Sequence, residues 1–292
     1  MNSKNLVSVI IPAYNAAPYI VETVNSVLSQ TYSNFELIIV NDGSTDTTLK
    51  QLIQLQESDK RIKVIDKVNS GVCDSRNEGI KIANGDFMTF LDADDVWDYS
   101  FLECCLSKFE EKGSIQSIYT KVELINEKSE KLNQFIFAKN ISSTADVLEW
   151  KKDYVASMGC TIYRSSVIDQ VGFFDSELST AADQDFHLRV VNVAPIIALD
   201  KVLFFYRVHD NNMHQNISVM ERDHLYVFKK AEQNGFLNSF WFKQQCFANL
   251  YWKLAGSWWK DGNNKSRGIY FVFKSLMAYP PVILKIMSKL IR

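Results

Sequence analysis

Four acidic residues stand within seven positions in the stretch FLDADDVWD, residues 90–98: Asp92, Asp94, Asp95 and Asp98. They follow an apolar run, and neighbouring carboxylates repel one another unless a positive group sits among them. Oxygen ligands at this spacing suit Mg²⁺ or Mn²⁺, above all when the phosphates of a ligand complete the coordination. The alternative is an acidic turn that favours the N-terminus of a helix predicted over residues 100–112.

Further polar residues that could bind a ligand or take part in a reaction follow other apolar runs. Asp42 occurs in VNDGSTD, Arg76 in SRNEG and His209 in FYRVH. Arg76 could instead form a surface ion pair with Asp74 or Glu78. A lone histidine after an apolar strand is often a hydrogen-bonded structural residue.

A second acidic pair, Asp183 and Asp185, lies in TAADQDFHLR. Residues two apart on a helix diverge by about 200°, so only one of the two can face a given cleft. The alternative is that both acids simply favour the N-terminus of the helix predicted over residues 183–191.

These residues are positioned by a predicted parallel sheet. Short apolar runs begin at Leu6, Phe35, Ile62 and Phe87, and helical patterns separate them. Runs that are apolar throughout have no solvent-facing side, which is typical of parallel strands covered on both faces. Since ligands bind outside the carboxyl ends of such strands, we expect the polar residues there to line one crevice. No dinucleotide fingerprint or P-loop is present to hold a nucleotide.

The pattern divides the chain into a catalytic region and a helical one. Residues 1–112 form the βαβ succession, and shorter mixed segments over residues 113–217 are predicted to extend the same domain. Residues 218–292 are helical and aromatic in pattern. The predicted organisation is therefore a domain over residues 1–217, with a nucleotide-binding half and an acceptor half, followed by a C-terminal helical region.

Composition narrows the class of protein. The chain has 292 residues, of which 47% are hydrophobic, enough for a sizeable core. Its 32 basic and 34 acidic residues give a net charge of −2, which provides no general attraction for nucleic acid. The five cysteines show no paired spacing that would predict zinc or disulfides. The N-terminal segment lacks a signal-peptide pattern, so we expect a cytoplasmic protein.

The motifs together resemble those of the family 2 glycosyltransferases of GT-A fold. SVIIPAYN, VNDGSTD, SRNEG, FLDADD, ADQDFHLR and FYRVH occur in the order and approximate spacing of that family, over residues 7–209. The resemblance implies an α/β fold of GT-A type, in which helices flank a Rossmann-like, mostly parallel central sheet. The C-terminal helical region would be an extension to it.

The resemblance also implies roles for particular residues. DAD resembles the DxD signature, so Asp94 would be the main ligand of Mn²⁺ or Mg²⁺, and His209 would lie near the metal or the diphosphate. Asp183 would be the catalytic base, whereas Ala182 replaces the glutamate that usually precedes it. The nucleotide sugar would contact Pro12, Ala13, Tyr14, Asp42, Arg76, Asp92 and Ala93.

The implied reaction is transfer of a sugar from a nucleotide donor, most often UDP-linked in that family, to a saccharide or lipid-linked acceptor in cell-envelope polysaccharide synthesis. One carboxylate base and no enzyme nucleophile predict a single displacement with inversion. Two other hypotheses stay open. One is a nucleotidyltransferase of related fold, although IPAYNAAPYI lacks glycine and basic residues for a triphosphate. The other is an inactive sugar-nucleotide-binding protein, which the replacement at Ala182 suggests.

The C-terminal tail, residues 260–292, has seven basic residues and one acidic residue among aromatic and aliphatic side chains. Such a segment favours peripheral contact with an anionic bilayer, here the inner face of the cytoplasmic membrane. An ordinary helix packed on the domain is the alternative. The sequence leaves the oligomeric state, the donor sugar and the linkage open.

Overall fold

The computed structural model describes residues 5–149, 157–210 and 216–281. Its first half is the predicted parallel arrangement. Strands β1 and β2 are buried along their whole length, because helices cover both faces of the sheet. β1 pairs in parallel with β2 and β4, and β2 with β3. The four strands are β1 (Val7–Ala13), β2 (Phe35–Asp42), β3 (Ile62–Lys67) and β4 (Phe87–Phe90).

Helices connect these strands and place polar loops at their carboxyl ends. The Asp46 carboxylate, just before the second helix, accepts hydrogen bonds from the backbone N–H and the hydroxyl of Thr48. The third helix approaches β1 closely at Gly79, where a side chain would overlap Ile10. The helices are α1 (Ile20–Leu28), α2 (Thr48–Ser58) and α3 (Val72–Ile82).

The second half continues the same sheet, but with mixed pairing. The strand order is β3-β2-β1-β4-β8-β6-β9-β5, and β7 pairs with β6. β8 is antiparallel to both β4 and β6, whereas β6 and β9 are parallel. The mostly parallel pattern therefore holds for β1–β4 and not for the strands that follow. These are β5 (Val96–Trp97), β6 (Ser117–Ile125), β7 (Lys131–Ile136), β8 (Thr161–Arg164) and β9 (Ile196–Arg207).

Four helices cover the second half of the sheet. One contiguous core joins side chains from both halves, including Ile10, Phe90, Tyr163 and Phe186. Burial of this extent of apolar surface is the main force that holds the two halves together. The helices are α4 (Phe101–Glu111), α5 (Thr144–Leu148), α6 (Ser165–Val171) and α7 (Ala182–Val193).

Three helices follow the sheet within the described residues. Phe228, on the first of them, is buried, and Phe271, on the third, packs in the same core. No helix within the described residues is both long and apolar enough to cross a bilayer. The helices are α8 (Ile217–Gln233), α9 (Phe240–Lys260) and α10 (Lys265–Ala278). Residues 282–292 of the predicted tail lie outside the described residues.

Candidate active site

A cleft of about 610 Å³ opens at the carboxyl ends of β1, β2 and β4. Its volume lies within the range of small-molecule sites. All ten residues predicted from the sequence to form the site line this cleft: Pro12, Ala13, Tyr14, Asp42, Arg76, Asp92, Ala93, Asp94, Asp183 and His209. Segments up to 197 residues apart in the chain thus meet at one place, since Pro12 and His209 share its wall.

Asp42 marks one end of the cleft and is nearly fully buried. One of its oxygens accepts a hydrogen bond from the Ser70 backbone N–H at 2.9 Å and forms an ion pair with Lys67. The other accepts from the Gly71 backbone N–H at 2.9 Å. Gly71 adopts a φ of +98°, a conformation that glycine adopts without strain. The loop before α3 is therefore held against Asp42.

Arg76 lies between two carboxylates rather than on the surface. Its Nη2 donates to Asp92 Oδ1 at 2.8 Å and its Nη1 to Asp183 Oδ1 at 2.7 Å. The side chain is 3% exposed. Burial alone would lower the pKa of Arg76, but the charges of Asp183 and Asp92 outweigh burial and raise it. The surface pair with Asp74 or Glu78 does not form.

Asp94 and His209 form a second polar pair in the cleft. His209 Nε2 lies 2.9 Å from Asp94 Oδ2. The imidazole stacks on the Tyr19 ring with centroids 5.0 Å apart, which fixes its plane. A carboxylate and an imidazole at one cleft wall are both metal ligands by type.

The third acid of the FLDADD stretch has a different place. Asp95 is buried outside the cleft lining, and its Oδ1 accepts from the Arg207 backbone N–H at 2.8 Å. Burial raises the pKa of Asp95 well above its ordinary value, and the charges of Asp94 and Asp92 raise it further. Arg207 Nε also donates to the Asp94 carbonyl at 2.6 Å. Arg207 thus supports the backbone that presents Asp94.

The acidic turn at α4, offered above as an alternative for these acids, is formed by Asp98. Its Oδ1 accepts from the backbone N–H and the hydroxyl of Ser100, the residue before the helix. Asp92 and Asp94 instead face the cleft.

Asp183 and Asp185 point in different directions, as their spacing on α7 predicts. Asp183 lines the cleft, and its Oδ2 accepts from the Met158 backbone N–H at 3.1 Å. Asp185 is buried away from the cleft and pairs with Arg189 and Lys230. Ala182 is 2% exposed and is buried in the core rather than in the cleft wall.

Several cleft residues were not predicted from the sequence. Tyr206 belongs to the FYRVH motif, and burial together with the charges of Asp95 and Asp94 raises its pKa. Ser179 and Thr180 directly precede the ADQDFHLR motif. The unpredicted lining residues include Tyr19, Asn69, Ser157, Ser179, Thr180 and Tyr206. The only sequence signal for these residues was that several of them lie next to a motif. Neutral side chains of these types are common throughout protein sequences, so this signal could not distinguish cleft residues from others.

Chemically, the cleft combines three kinds of group. The strand ends near Asp42 offer polar groups that can form hydrogen bonds with a ligand. The Arg76 guanidinium can bind an anionic ligand, and Asp94 with His209 could bind a cation that accompanies it. Asp183, on the far side of Arg76, offers a carboxylate that can accept a proton.

Comparison with known protein families gives a match over much of the chain. The model of the family described as "Glycosyl transferase family 2" matches residues 8–172. An uncharacterised glycosyltransferase of Haemophilus influenzae is 31% identical over 247 residues, which are 80% of this chain and 74% of that protein. Chondroitin synthase of Pasteurella multocida is 29% identical over 231 residues, 77% of this chain but 23% of the synthase. The chain therefore spans less than a quarter of that larger protein.

Solved structures share the fold. Residues 1–349 of S. aureus TarS, in complex with UDP-GlcNAc, match with a TM-score of 0.62 and 22% identity, over 97% of this chain and 92% of that chain. The mannosyltransferase PcManGT from Pyrobaculum calidifontis, in complex with GDP-Man and Mn²⁺, matches with a TM-score of 0.65 and 16% identity, over 99% of this chain and 81% of that chain. The predicted GT-A fold is confirmed.

Proposed function

Because the chain belongs to glycosyl transferase family 2, we propose that it moves a sugar from a UDP-sugar to a hydroxyl group of a saccharide or lipid-linked saccharide in cell-envelope glycan synthesis. One observation carries this proposal: a single cleft brings together Asp42, Arg76, Asp94, Asp183 and His209. The TarS complex with UDP-GlcNAc supports a UDP-linked donor, and the chondroitin synthase supports a glycan product.

The donor would extend along the cleft from the strand ends toward Asp183. The nucleobase of the donor would lie on Pro12, Ala13 and Tyr14, with Asp42 accepting a hydrogen bond from an N–H of the nucleobase. The Asp42 carboxylate already accepts hydrogen bonds from two backbone N–H groups. The nucleobase would therefore bind to a lone pair of this carboxylate that those groups leave available. The ribose and diphosphate would contact Arg76, Asp92 and Ala93.

A divalent cation, Mn²⁺ or Mg²⁺, could bind in the cleft if the donor phosphates complete its coordination. The described residues contain no cluster of three or more His, Cys, Asp or Glu side chains that could hold a metal by themselves. Asp94 and His209 supply two ligands, and Mg²⁺-type sites commonly complete their coordination with substrate phosphates and water. A bound cation would neutralise the charge that develops on the departing diphosphate.

Asp183 is the proposed base. The acceptor oxygen forms a bond to the anomeric carbon while the bond from that carbon to the diphosphate oxygen breaks, and its electron pair leaves with the nucleoside diphosphate. The proton of the acceptor hydroxyl passes to Asp183. The Arg76 guanidinium and the Met158 N–H orient this carboxylate. A single displacement of this kind inverts the configuration at the anomeric carbon.

The released product distinguishes this function from the alternatives. The purified protein is incubated with UDP-sugars, Mn²⁺ and saccharide or lipid-linked acceptors. We expect acceptor-dependent release of UDP. Release of pyrophosphate from a sugar phosphate and a nucleoside triphosphate would identify a nucleotidyltransferase instead. Donor binding without turnover with any acceptor would favour the inactive binding protein.

We also propose peripheral contact with an anionic membrane through the C-terminal helices. α9 and α10 contain no acidic residue, and their outer side exposes large apolar residues such as Trp259, Phe273 and Met277. Two of the cations pair with acids of α8, Lys243 with Glu232 and Arg267 with Glu221. The six cations of these helices are Lys243, Lys253, Lys260, Lys265, Arg267 and Lys274.

Aromatic and basic residues together are typical of interfacial helices. The alternative is an ordinary helix packed on the domain. It accounts for the buried face of α10, which contains Phe271, but not for the apolar residues exposed on its other side.

A further inference from the structure

A buried carboxylate outside the cleft holds part of its wall. Asp223 lies on α8 and is fully buried. Its Oδ2 accepts hydrogen bonds from the Ser179 backbone N–H at 2.9 Å and hydroxyl at 3.0 Å. The same oxygen accepts from the Thr180 backbone N–H at 2.9 Å and hydroxyl at 3.2 Å. Its Oδ1 pairs with Arg222.

The segment that Asp223 holds leads directly to the proposed base. Ser179 and Thr180 line the cleft, and α7 begins two residues later at Ala182. Ala181, the residue before α7, makes no side-chain capping hydrogen bond. Asp223 therefore places a negative charge near the positive N-terminal end of α7 from another helix. Asp183 lies in the first turn of α7.

The four donors explain why a carboxylate stands at this position. Two backbone N–H groups and two hydroxyls converge on one oxygen, and no other described acceptor takes these backbone N–H groups. An asparagine that turned its oxygen toward these donors would turn its nitrogen toward the donor groups of Arg222, which now bind Oδ1. These hydrogen bonds hold the pKa of Asp223 below its ordinary value although burial opposes this.

We propose that Asp223 is a positioning residue for sugar transfer, which fixes Ser179 and Thr180 and through them the place of Asp183 in the cleft. This inference rests on the proposed function and extends it, because it makes α8 part of the machinery that prepares the sugar and acceptor end of the site. Asp42, which would bind the nucleobase of the donor, has no contact with Asp223 among the described residues.

The test compares Asp223→Asn with Asp175→Asn. Asp175 forms an ion pair with Lys230 of α8 and so ties the same helix to the catalytic domain without lining the cleft. We expect Asp223→Asn to lower kcat for transfer by at least about tenfold, because small misplacements of a catalytic group have large effects on rate. UDP affinity, measured by calorimetry, should stay within twofold. Asp175→Asn should keep kcat within twofold even if it lowers Tm.

A double-mutant cycle shows whether Asp223 acts through the loop. If it does, the losses in kcat from Asp223→Asn and from Ser179→Ala with Thr180→Val are not additive. Should Asp223→Asn fail to fold, the loop variant alone tests the contact, and we expect several-fold lower kcat with unchanged UDP affinity. Wild-type kcat in the folded Asp223→Asn protein, or in the loop variant, would overturn the inference.

Two further results would count against the positioning role. Equal losses of kcat in Asp223→Asn and Asp175→Asn would indicate that α8 acts only on stability. A parallel loss of UDP affinity would indicate a general disturbance of the cleft. If the wild-type protein itself shows no acceptor-dependent UDP release, the proposed function fails, and this outcome differs from an active enzyme that is insensitive to Asp223.

Discussion

Arg76 connects two carboxylates that have different tasks in the proposed reaction. In the proposed reaction Asp92 would contact the donor and Asp183 the acceptor, and one buried guanidinium binds both carboxylates. A planar fork with fixed donor directions can hold two carboxylates at a set separation, which a lysine ammonium cannot do. The positive group among the acids of FLDADD is thus, in part, a residue of the chain itself.

The first prediction concerns Asp183. Replacement Asp183→Asn removes the proton acceptor while leaving the size of the side chain unchanged. We expect kcat for transfer to fall by about 10²-fold or more, the usual contribution of general base catalysis. UDP binding, followed by calorimetry, should change little, because Asp42 does not contact Asp183 and an asparagine oxygen can still accept the hydrogen bond from Arg76.

The matched control is Asp185→Asn, two residues along the same helix. Asp185 carries the same charge but faces Arg189 and Lys230 instead of the cleft. We expect this variant to keep transfer activity even if its stability decreases. Undiminished transfer by Asp183→Asn with the true acceptor would show that the base is a different group.

At the scale of elements, the contact between α3 and β1 decides where Arg76 lies. Gly79 follows Arg76 by one turn on α3, and its missing side chain lets the helix approach Ile10 of β1. Since helices and strands pack at native density, a methyl group here has no free space. The position of Arg76 in the cleft therefore depends on a glycine that has no chemistry of its own.

The second prediction follows from this contact. Gly79→Ala should lower the free energy of unfolding by about 1–3 kcal/mol, because the added methyl overlaps Ile10 and forces the backbone apart. Urea unfolding measures this change. Gly256→Ala, at an exposed position of α9 with open space around it, should instead stabilise the protein by up to about 1 kcal/mol through helix propensity. A Gly79→Ala protein as stable as the wild type would contradict the close packing.

At the scale of the whole molecule, two buried histidines make stability depend on pH. Burial lowers the pKa of His187, and that of His224, to about 4. His187 Nε2 lies 2.7 Å from the Tyr163 hydroxyl, and His224 Nδ1 lies 2.8 Å from the Met220 carbonyl. In the unfolded chain both would titrate near the ordinary value of about 6.5.

The third prediction is a loss of stability on acidification. Because the folded pKa values lie below the unfolded ones, the unfolded state binds protons first as the pH falls below about 6.5. Each histidine should therefore cost about 1–2 kcal/mol of stability between pH 7 and pH 5. Urea unfolding of His187→Gln and the wild type at both pH values isolates this term from the carboxylates, which both proteins share. Identical pH dependence of the two proteins would show that His187 does not contribute.

The fourth prediction concerns the membrane. Full-length protein should bind liposomes that contain anionic lipid, and the binding should weaken with salt because part of the attraction is electrostatic. Replacing Phe273 and Met277, which are 63% and 68% exposed on α10, by serine should reduce the bound fraction in sedimentation. Deletion of residues 279–292 should reduce it further, although residues 282–292 lie outside the described part of the chain.

Ile53→Ser provides the control for surface hydrophobicity. Ile53 is 45% exposed on α2, away from the C-terminal helices. This variant should bind liposomes like the wild type, and both sets of variants should still bind UDP. Equal binding by all proteins at low salt would favour α10 as an ordinary packed helix.

The sequence by itself predicted the first half of the fold and ten of the residues that line the cleft. Short runs without a polar side are typical of strands covered on both faces, and the carboxyl ends of parallel strands meet at one edge. Local patterns therefore predicted that Asp42, Asp92 and Asp94 would converge, and the spacing on α7 predicted that Asp183 and Asp185 would diverge. The order of the motifs added the distant members, Arg76 and His209.

Only the tertiary structure decided how these residues contact one another. The antiparallel pairing of β8, the bridging role of Arg76 and the support of Asp94 by Arg207 depend on approaches between segments far apart in the chain. The contact of Asp223 with Ser179 and Thr180 is of the same kind. Hydrophobic patterns record which face of an element is buried but not which polar partner it meets there, because a buried hydrogen bond depends on positions that packing of the whole chain fixes.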